Sequence, residues 1–374
     1  MIRVLQIVHG MNVGGIETFL MNIYRNIDRE KVQFDFMVNV KDECAYDQEI
    51  KKLGGKIYYI PSRRESVKEN KRKLDQFFKE HKEYQVVHAH LSSLSYIEPL
   101  KKATKYKVPT RIAHSRNNNQ GGKLHYLLHK LHQPSFHKYV TDCFAISELA
   151  AKWLYGENVR KGEDYQIIGN GIEVENFIFN PEIRKQIRKE LNLKEEIVIG
   201  HTGRFVDQKN HDFLIDIFYE ICKKKAQYKL LLLGEGILRS SIEEKVKKLG
   251  LEEKVIFLGV KQNVYDYMQA MDVFLLPSIY EGLGRVLIEA QAADLPCVVS
   301  AKVIPEEAKI LETYETVPLS WTSEKWADRV IKSAEYHERK NRLKEIQQAG
   351  YDIRSVAKEL EKLYIDRSKG EQDV

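Results

Sequence analysis

The chain has 374 residues, 43% hydrophobic and 30% charged, with 60 Lys+Arg against 54 Asp+Glu for a formal charge of +6. That length exceeds one typical hydrophobic core and predicts two domains. The mild, dispersed positive balance admits an anionic ligand or a membrane surface but lacks the concentrated basic stripe of a nucleic-acid binder.

The chain opens on Met1-Ile-Arg-Val-Leu-Gln-Ile-Val-His9, an apolar run too short for a signal-peptide core, so no signal peptide is expected. Residues 4–8 read as a first strand. The turn His9-Gly10-Met11-Asn12-Val13-Gly14-Gly15 follows, and Ile16, Phe19, Leu20, Ile23 and Ile27 then recur at helical spacing. Gly14 and Gly15 at the helix start can present N–H groups to an anion. Taken alone, a tight strand-to-helix turn explains them better, because the spacing matches neither G-x-G-x-x-G nor a P-loop.

Further strands are expected at 33–38, 56–60, 86–90, 111–114 and 143–146. Ala113-His114-Ser115-Arg116-Asn117 closes one of them. A histidine at a strand end among polar residues can bond a sugar or an incoming hydroxyl, although a lone histidine is more often structural. His9, His88 and His90 have weaker context. The segment Lys123-Leu-His-Tyr-Leu-Leu-His-Lys-Leu-His132 is basic, aromatic and apolar on an expected helix, and Lys68, Lys71, Arg72 and Lys73 form another basic run. Periodicity leaves two readings open for that helix: contact with an anionic bilayer, or packing on the first domain. His125 and His129 stand four apart with no third ligand and read as surface residues.

Asn170-Gly171 is a turn signal, and the polar stretch to Pro181 reads as a linker. The domains are therefore expected at 1–170 and 171–352. In the second, strands are expected at 197–201, 229–233, 254–258, 273–276 and 297–300. Strands alternating with amphipathic helices in both halves predict an α/β fold of two parallel-sheet, Rossmann-like domains.

Gly203-Arg204-Phe-Val-Asp-Gln-Lys209-Asn210 comes directly after the 197–201 strand. Arginine grips two phosphate oxygens at once and lysine adds a point charge, so the pair favours a diphosphate site. Glu281-Gly-Leu-Gly-Arg-Val-Leu-Ile-Glu289 follows the 273–276 strand. On a single helix the two glutamates would lie about 12 Å apart. A loop-and-helix placement instead lets both face one ligand, where a carboxylate can take the two hydroxyls of a ribose. Near the end, Ile353, Val356, Ala357, Leu360, Leu363 and Tyr364 make one apolar helix face, and the residues from Ser368 are expected to fray.

Several signals are missing. Cys44, Cys143, Cys222 and Cys297 form no C-x-x-C pair, which predicts a reducing, cytoplasmic compartment and neither disulfides nor zinc. No D-x-D triplet, H-E-x-x-H or G-x-S-x-G occurs, and no apolar run reaches the roughly 18 residues of a spanning helix.

These residues together resemble family 4 retaining glycosyltransferases of the GT-B fold, especially bacterial enzymes of capsule and exopolysaccharide assembly. The resemblance runs through Gly14-Gly15-Ile-Glu17, His114-Ser-Arg-Asn, Ile146-Ser147-Glu148, Gly169-Asn-Gly-Ile, Gly203-Arg204 with Lys209, Leu258-Gly259 and the Glu281 to Glu289 block. It implies two Rossmann-like domains facing a cleft, an N-terminal acceptor domain and a C-terminal domain for a nucleotide-sugar donor. A terminal helix at about 353–367 would pack back on the first. It further implies Glu289 on the ribose, Arg204 and Lys209 on the diphosphate, and Glu281 on a donor-sugar hydroxyl. Backbone groups of Leu283, Gly284, Arg285 and Val286 would contact phosphate and sugar, and Val260 and Val264 would lie near the base, uridine in preference to guanosine. Gly14 and Gly15 would approach the phosphate and His114 the transferred sugar.

The implied reaction is metal-independent transfer with retention, without a cofactor, to a glycan or polyprenyl-diphosphate-linked acceptor, with peripheral contact to the inner membrane face through the first domain. A nucleotide-sugar epimerase and a non-catalytic partner subunit are the alternatives. One departure stands out: the family has glycine after the 281–289 block where this chain has Asp294, so local strain is expected there.

Overall fold

The computed structural model describes residues 1–117, 122–335 and 337–369. The chain divides into two compact units, Met1–Ile172 with the segment from Asp352 onward, and Glu173–Tyr351.

The first unit holds β1 (Ile2–Ile7), β2 (Val32–Val38), β3 (Ile57–Tyr59), β4 (Val86–Leu91), β5 (Thr110–Ser115), β6 (Asp142–Ala145) and β7 (Gln166–Ile167). They form one sheet in the order β3-β2-β1-β4-β5-β6-β7, parallel at every pair. Alternate residues leave opposite faces of a strand. Val4, Phe34, Phe36 and Val86 therefore share a core with Phe19 and Tyr24 of the helix Gly15–Asn26, and with Val356, Leu360 and Tyr364 of the terminal helix Ile353–Lys369. Leu5 and Ile7 turn the other way and meet Leu74, Phe77 and Phe78 of the helix Val67–Glu80. Burial on both faces explains the near-continuous apolar runs of these strands.

The second unit holds β8 (Ile197–Thr202), β9 (Tyr228–Leu233), β10 (Val255–Gly259), β11 (Val273–Leu276), β12 (Cys297–Ser300) and β13 (Tyr314–Val317), again all parallel, in the order β10-β9-β8-β11-β12-β13. Ile199, Leu230 and Leu232 pack on Leu214, Ile217 and Phe218 of the helix His211–Lys224, and Trp326 closes the same core.

The structure departs from expectation in three places. Two edge strands, β7 and β13, carry too little apolar sequence to announce themselves. The stretch before Pro181 is not a linker: Val174 and Phe177 are buried in a short helix, and Gln269 Nε2 donates to Phe177 O at 3.2 Å. Ser368 does not fray, since its Oγ donates to Ile365 O at 2.8 Å within the terminal helix; the tail beyond 369 lies outside the described residues.

Candidate functional site

In the second unit the strand order runs outward from β8 through β9 to β10 on one side and from β11 through β12 to β13 on the other. Neighbouring connections diverge at such a reversal, and ligands of open α/β sheets bind in the crevice beyond the carboxyl ends there. β8 ends at Gly203-Arg204 and a single 3-10 turn, Asp207–Lys209. β11 ends at Pro277, and a loop leads to the helix Arg285–Ala292.

The two loops are stitched together. Ile279 N donates to Gln208 O at 2.8 Å, Gln208 Nε2 to Tyr280 O at 3.0 Å, and Asn210 Nδ2 to Pro277 O at 3.0 Å. At their centre Lys209 Nζ stands 2.5 Å from Glu281 Oε1, which also accepts from Ser278 Oγ at 2.8 Å. Gln208 Nε2 reaches the other oxygen at 3.4 Å. Glu281 is only 5% exposed, so its charge depends on this shell of donors. Arg204 is exposed. The Tyr280 hydroxyl is pushed up by burial first and by the Glu281 charge next, while Arg204 pulls it down.

Gly284 takes φ 76° and caps the helix Arg285–Ala292. This left-handed turn is open to glycine at no steric cost. Leu283 is buried and Val286 half-buried. One helical turn on, Glu289 is 5% exposed, and its Oε1 accepts from Arg285 Nε at 2.8 Å with Nη2 at 2.7 Å. Arg285 Nη1 is buried with no hydrogen-bond partner among the described residues. Val260 is exposed just after β10, and Val264 opens the helix Val264–Ala270. The structure thus brings Lys209 and Glu281 together, with Arg204 exposed on the same loop as Lys209 and with Glu289 and Arg285 on the helix after Glu281.

Gly234 was not singled out by sequence. It has φ +136°, and a Cβ there would sit 2.0 Å from the Gly203 carbonyl oxygen. The end of β9 therefore lies against the arginine loop at a distance only glycine permits. The Gly234-Glu-Gly236 spacing after an apolar run was the available signal.

In the first unit Gly14 is the extended N-cap of the helix Gly15–Asn26. His114 on β5 is fully buried, and both ring nitrogens are engaged: Arg116 Nη1 lies 3.0 Å from Nε2, and His88 Nε2 lies 3.1 Å from Nδ1. Contact with a sugar would require it to give up Arg116. Burial, and then the Arg116 charge, hold His114 well below the ordinary histidine range. Arg116 is itself lowered to about 9 by burial, with Glu17 pulling the other way. His88, His90 and His114 offer nitrogens within 4.8 Å of one another. Both ring nitrogens of His88 and of His114 are taken, by Tyr364, by Arg116 and by each other, and the arginine charge beside them adds to a poor fit to a metal ion.

His129 is not a surface residue. It is buried, its Nδ1 accepts from Leu94 N at 3.1 Å, and its ring stacks on Trp153 at 4.3 Å. His125 is half-buried with Nδ1 3.2 Å from Ser95 Oγ.

Asp294 does adopt the left-handed conformation, at φ 52°. Its buried carboxylate accepts from Arg342 Nε at 2.8 Å and Lys340 N at 2.6 Å. The side chain anchors the 340–342 segment, a task glycine could not perform.

Two Rossmann-like parallel sheets, one with cations and carboxylates gathered at its switch point, define the GT-B class of α/β proteins. The chain belongs to glycosyltransferase family 4: the Glycosyltransferase Family 4 model matches residues 13–176 and the model for glycosyl transferases group 1 matches 183–349. EpsF of Bacillus subtilis (strain 168) is 33% identical over 358 residues, 94% of this chain and 93% of EpsF. The capsular polysaccharide biosynthesis glycosyltransferase CapH of Staphylococcus aureus is 25% identical over 378 residues, 98% of this chain and 100% of CapH. The crystal structure of Anabaena HepE in complex with UDP and glucose shares the fold, with TM-score 0.73 at 16% identity over 99% of this chain and 98% of that one.

Proposed function

We propose that this chain is a retaining hexosyltransferase. It moves a sugar from a nucleotide-diphosphate donor, a UDP-sugar, to a glycan or polyprenyl-diphosphate-linked acceptor in capsule or exopolysaccharide assembly. The observation that carries the reading is the Lys209–Glu281 pair at the switch point of the second sheet, with Glu289 on the next helix. Similarity to CapH supports the capsule assignment, and the fold shared with UDP-bound HepE supports uridine.

In this reading the bond between the anomeric carbon and the donor phosphate oxygen breaks, and negative charge develops on the departing diphosphate. Arg204, Lys209 and the backbone N–H groups of Leu283, Gly284, Arg285 and Val286 face that charge. One such donor typically contributes about 3 kcal/mol to the transition state. With protein cations in that role the reaction runs without a metal. Glu281 orients Lys209 and takes a donor-sugar hydroxyl, and Glu289 takes the ribose hydroxyls through the oxygen Arg285 does not use. The base lies near Val260 and Val264. The acceptor hydroxyl attacks from the face the phosphate leaves and passes its proton to a phosphate oxygen, so configuration is retained.

The helix Lys123–His132 supports contact with an anionic bilayer. Leu124, Leu127 and Leu131 stand exposed, Leu127 at 65% and Leu131 at 69%, while His129 turns into the protein. A helix packed on a globular core shows the reverse polarity. Residues 123–139 contain no acidic side chain and carry Lys123, Lys130 and Lys138, the composition of an interfacial helix.

A panel of UDP-sugars tests the reaction. UDP release with a sugar transferred in its original anomeric configuration, read by proton NMR, is the expected outcome. Conversion of a donor into its epimer without an acceptor would replace this reading with the epimerase.

A further inference from the structure

A cavity of about 260 Å³ opens in the first unit at the carboxyl ends of β1, β2 and β4. His9, Asn39, His90, Ser93, Ser95 and Tyr96 contribute to its polar lining, and among the described residues Glu17 is the one charged side chain in it. Among the described residues no lysine or arginine lines it. It has the position of a ligand crevice in an open sheet, but its chemistry differs from the cation-bearing site of the second unit.

Hydrogen-bond directions around the cavity are fixed from inside. A guanidinium can only donate, so His114 Nε2 accepts from Arg116, and the His114 proton sits on Nδ1, facing His88 Nε2 at 3.1 Å. His88 then carries its proton on Nδ1 and donates to Tyr364 Oη at 2.7 Å. Gln6 Nε2 approaches the same Tyr364 oxygen at 3.4 Å, and Gln6 Oε1, which can only accept, lies 2.9 Å from His90 Nε2. The His90 proton is therefore on Nε2, and Nδ1 offers a lone pair. That Nδ1 is buried and has no hydrogen-bond partner among the described residues. Burial first, and then the neighbouring His88 and Arg116, hold His90 well below the ordinary histidine range. A buried acceptor without a donor is unfavourable, and a ligand that brings one relieves it.

We propose that this cavity binds the terminal sugar ring of the acceptor, with His90 Nδ1 accepting a hydrogen bond from one ring hydroxyl. The proposal rests on the transferase reading. Ser93 Oγ, which donates to Ser95 Oγ at 2.9 Å, can accept from another hydroxyl, and Ser95 Oγ, 3.2 Å from His125 Nδ1, can turn its own proton toward one. Glu17 and the lack of cations disfavour a phosphate here, so a lipid-linked acceptor enters sugar first and keeps its diphosphate outside. Gln6 and Tyr364 are positioning residues that fix the His90 tautomer.

The test uses the full chain, saturation-transfer NMR and the methyl α-glycosides of glucose, galactose, N-acetylglucosamine and N-acetylgalactosamine, each beside its 1-phosphate. Calorimetry with UDP runs in parallel. At least one methyl glycoside binds, and no 1-phosphate binds better than its glycoside. His90→Ala weakens that glycoside about tenfold, while His90→Asn, which keeps an acceptor near the Nδ1 position, costs about threefold or less. UDP affinity is the same in all three proteins. Should His90→Ala fail to fold, Ser93→Ala probes the same cavity with the same expected loss. Silence from every glycoside, preference for a 1-phosphate, or full affinity in both His90→Ala and Ser93→Ala would overturn the proposal. Glycoside binding without UDP binding would uphold the cavity and defeat the donor reading.

Discussion

Lys209 Nζ lies 2.5 Å from Glu281 Oε1, across 72 residues of chain, and this contact ties the loop after β8 to the loop after β11. Both side chains are largely shielded, at 15% and 6% exposure. Breaking such a pair leaves an uncompensated charge, which costs about 3–5 kcal/mol. Lys209→Ala is therefore expected to lower turnover by about a hundredfold and also to lower stability. Lys209→Met with Glu281→Gln separates the effects: the neutral pair recovers most of the thermal midpoint but not turnover. Recovery of both would reduce the pair to a structural tie.

Asp294 sets two opposing effects against each other. Glycine would relieve a left-handed conformation that costs an ordinary residue about 1–2 kcal/mol. It would also remove two buried acceptor contacts, each worth about 1.5–3 kcal/mol when charged. The contacts win, so Asp294→Gly should destabilise the chain in urea unfolding even though it introduces the glycine that the resemblance led us to expect there. Stabilisation would show that Arg342 and Lys340 gain little from the carboxylate.

Stability should fall on mild acidification. Burial, the first cause in each case, lowers His129 and His211 to about 4 from the ordinary 6.5, and His88, His90 and His114 lie well below it. Between about pH 6.5 and 4 the unfolded chain binds more protons than the native one, so stability rises with pH. Their contribution is complete above 6.5 and is lost as pH falls toward 4. A urea midpoint lower at pH 5 than at pH 7.5 is expected, and a flat profile over that range would contradict neutral burial of these rings.

Leu127 and Leu131 contribute little to folding because they are exposed. Aspartate at both should leave stability within about 0.5 kcal/mol. If they enter a bilayer, each loses about 1.5–3 kcal/mol of burial, and flotation with anionic vesicles should collapse by tenfold or more. Equal flotation of wild type and variant would return the helix to an ordinary surface role.

Most of the fold is legible because strands buried on both faces leave long apolar runs, and the glutamate block and the arginine loop are local patterns. What was not legible depends on distance or direction. Asp294 looks like a defect until Arg342, 48 residues away, is seen to need it. His129 was misplaced because periodicity marks a helical face without saying which face turns inward. The short edge strands β7 and β13 carry polar residues such as Gln166, Glu315 and Thr316. The Gln6, His88 and Tyr364 network joins residues up to 358 apart, visible in sequence only as polar positions inside apolar strands.

The central claim is a nucleotide-diphosphate site at the switch point of the second sheet, and calorimetric titration of UDP tests it most directly. Wild type should bind, and Arg204→Ala and Glu289→Ala should each weaken binding by about tenfold to a hundredfold, the loss expected for one charge-assisted hydrogen bond. No UDP binding, or the same dissociation constant in all three proteins, would contradict the account.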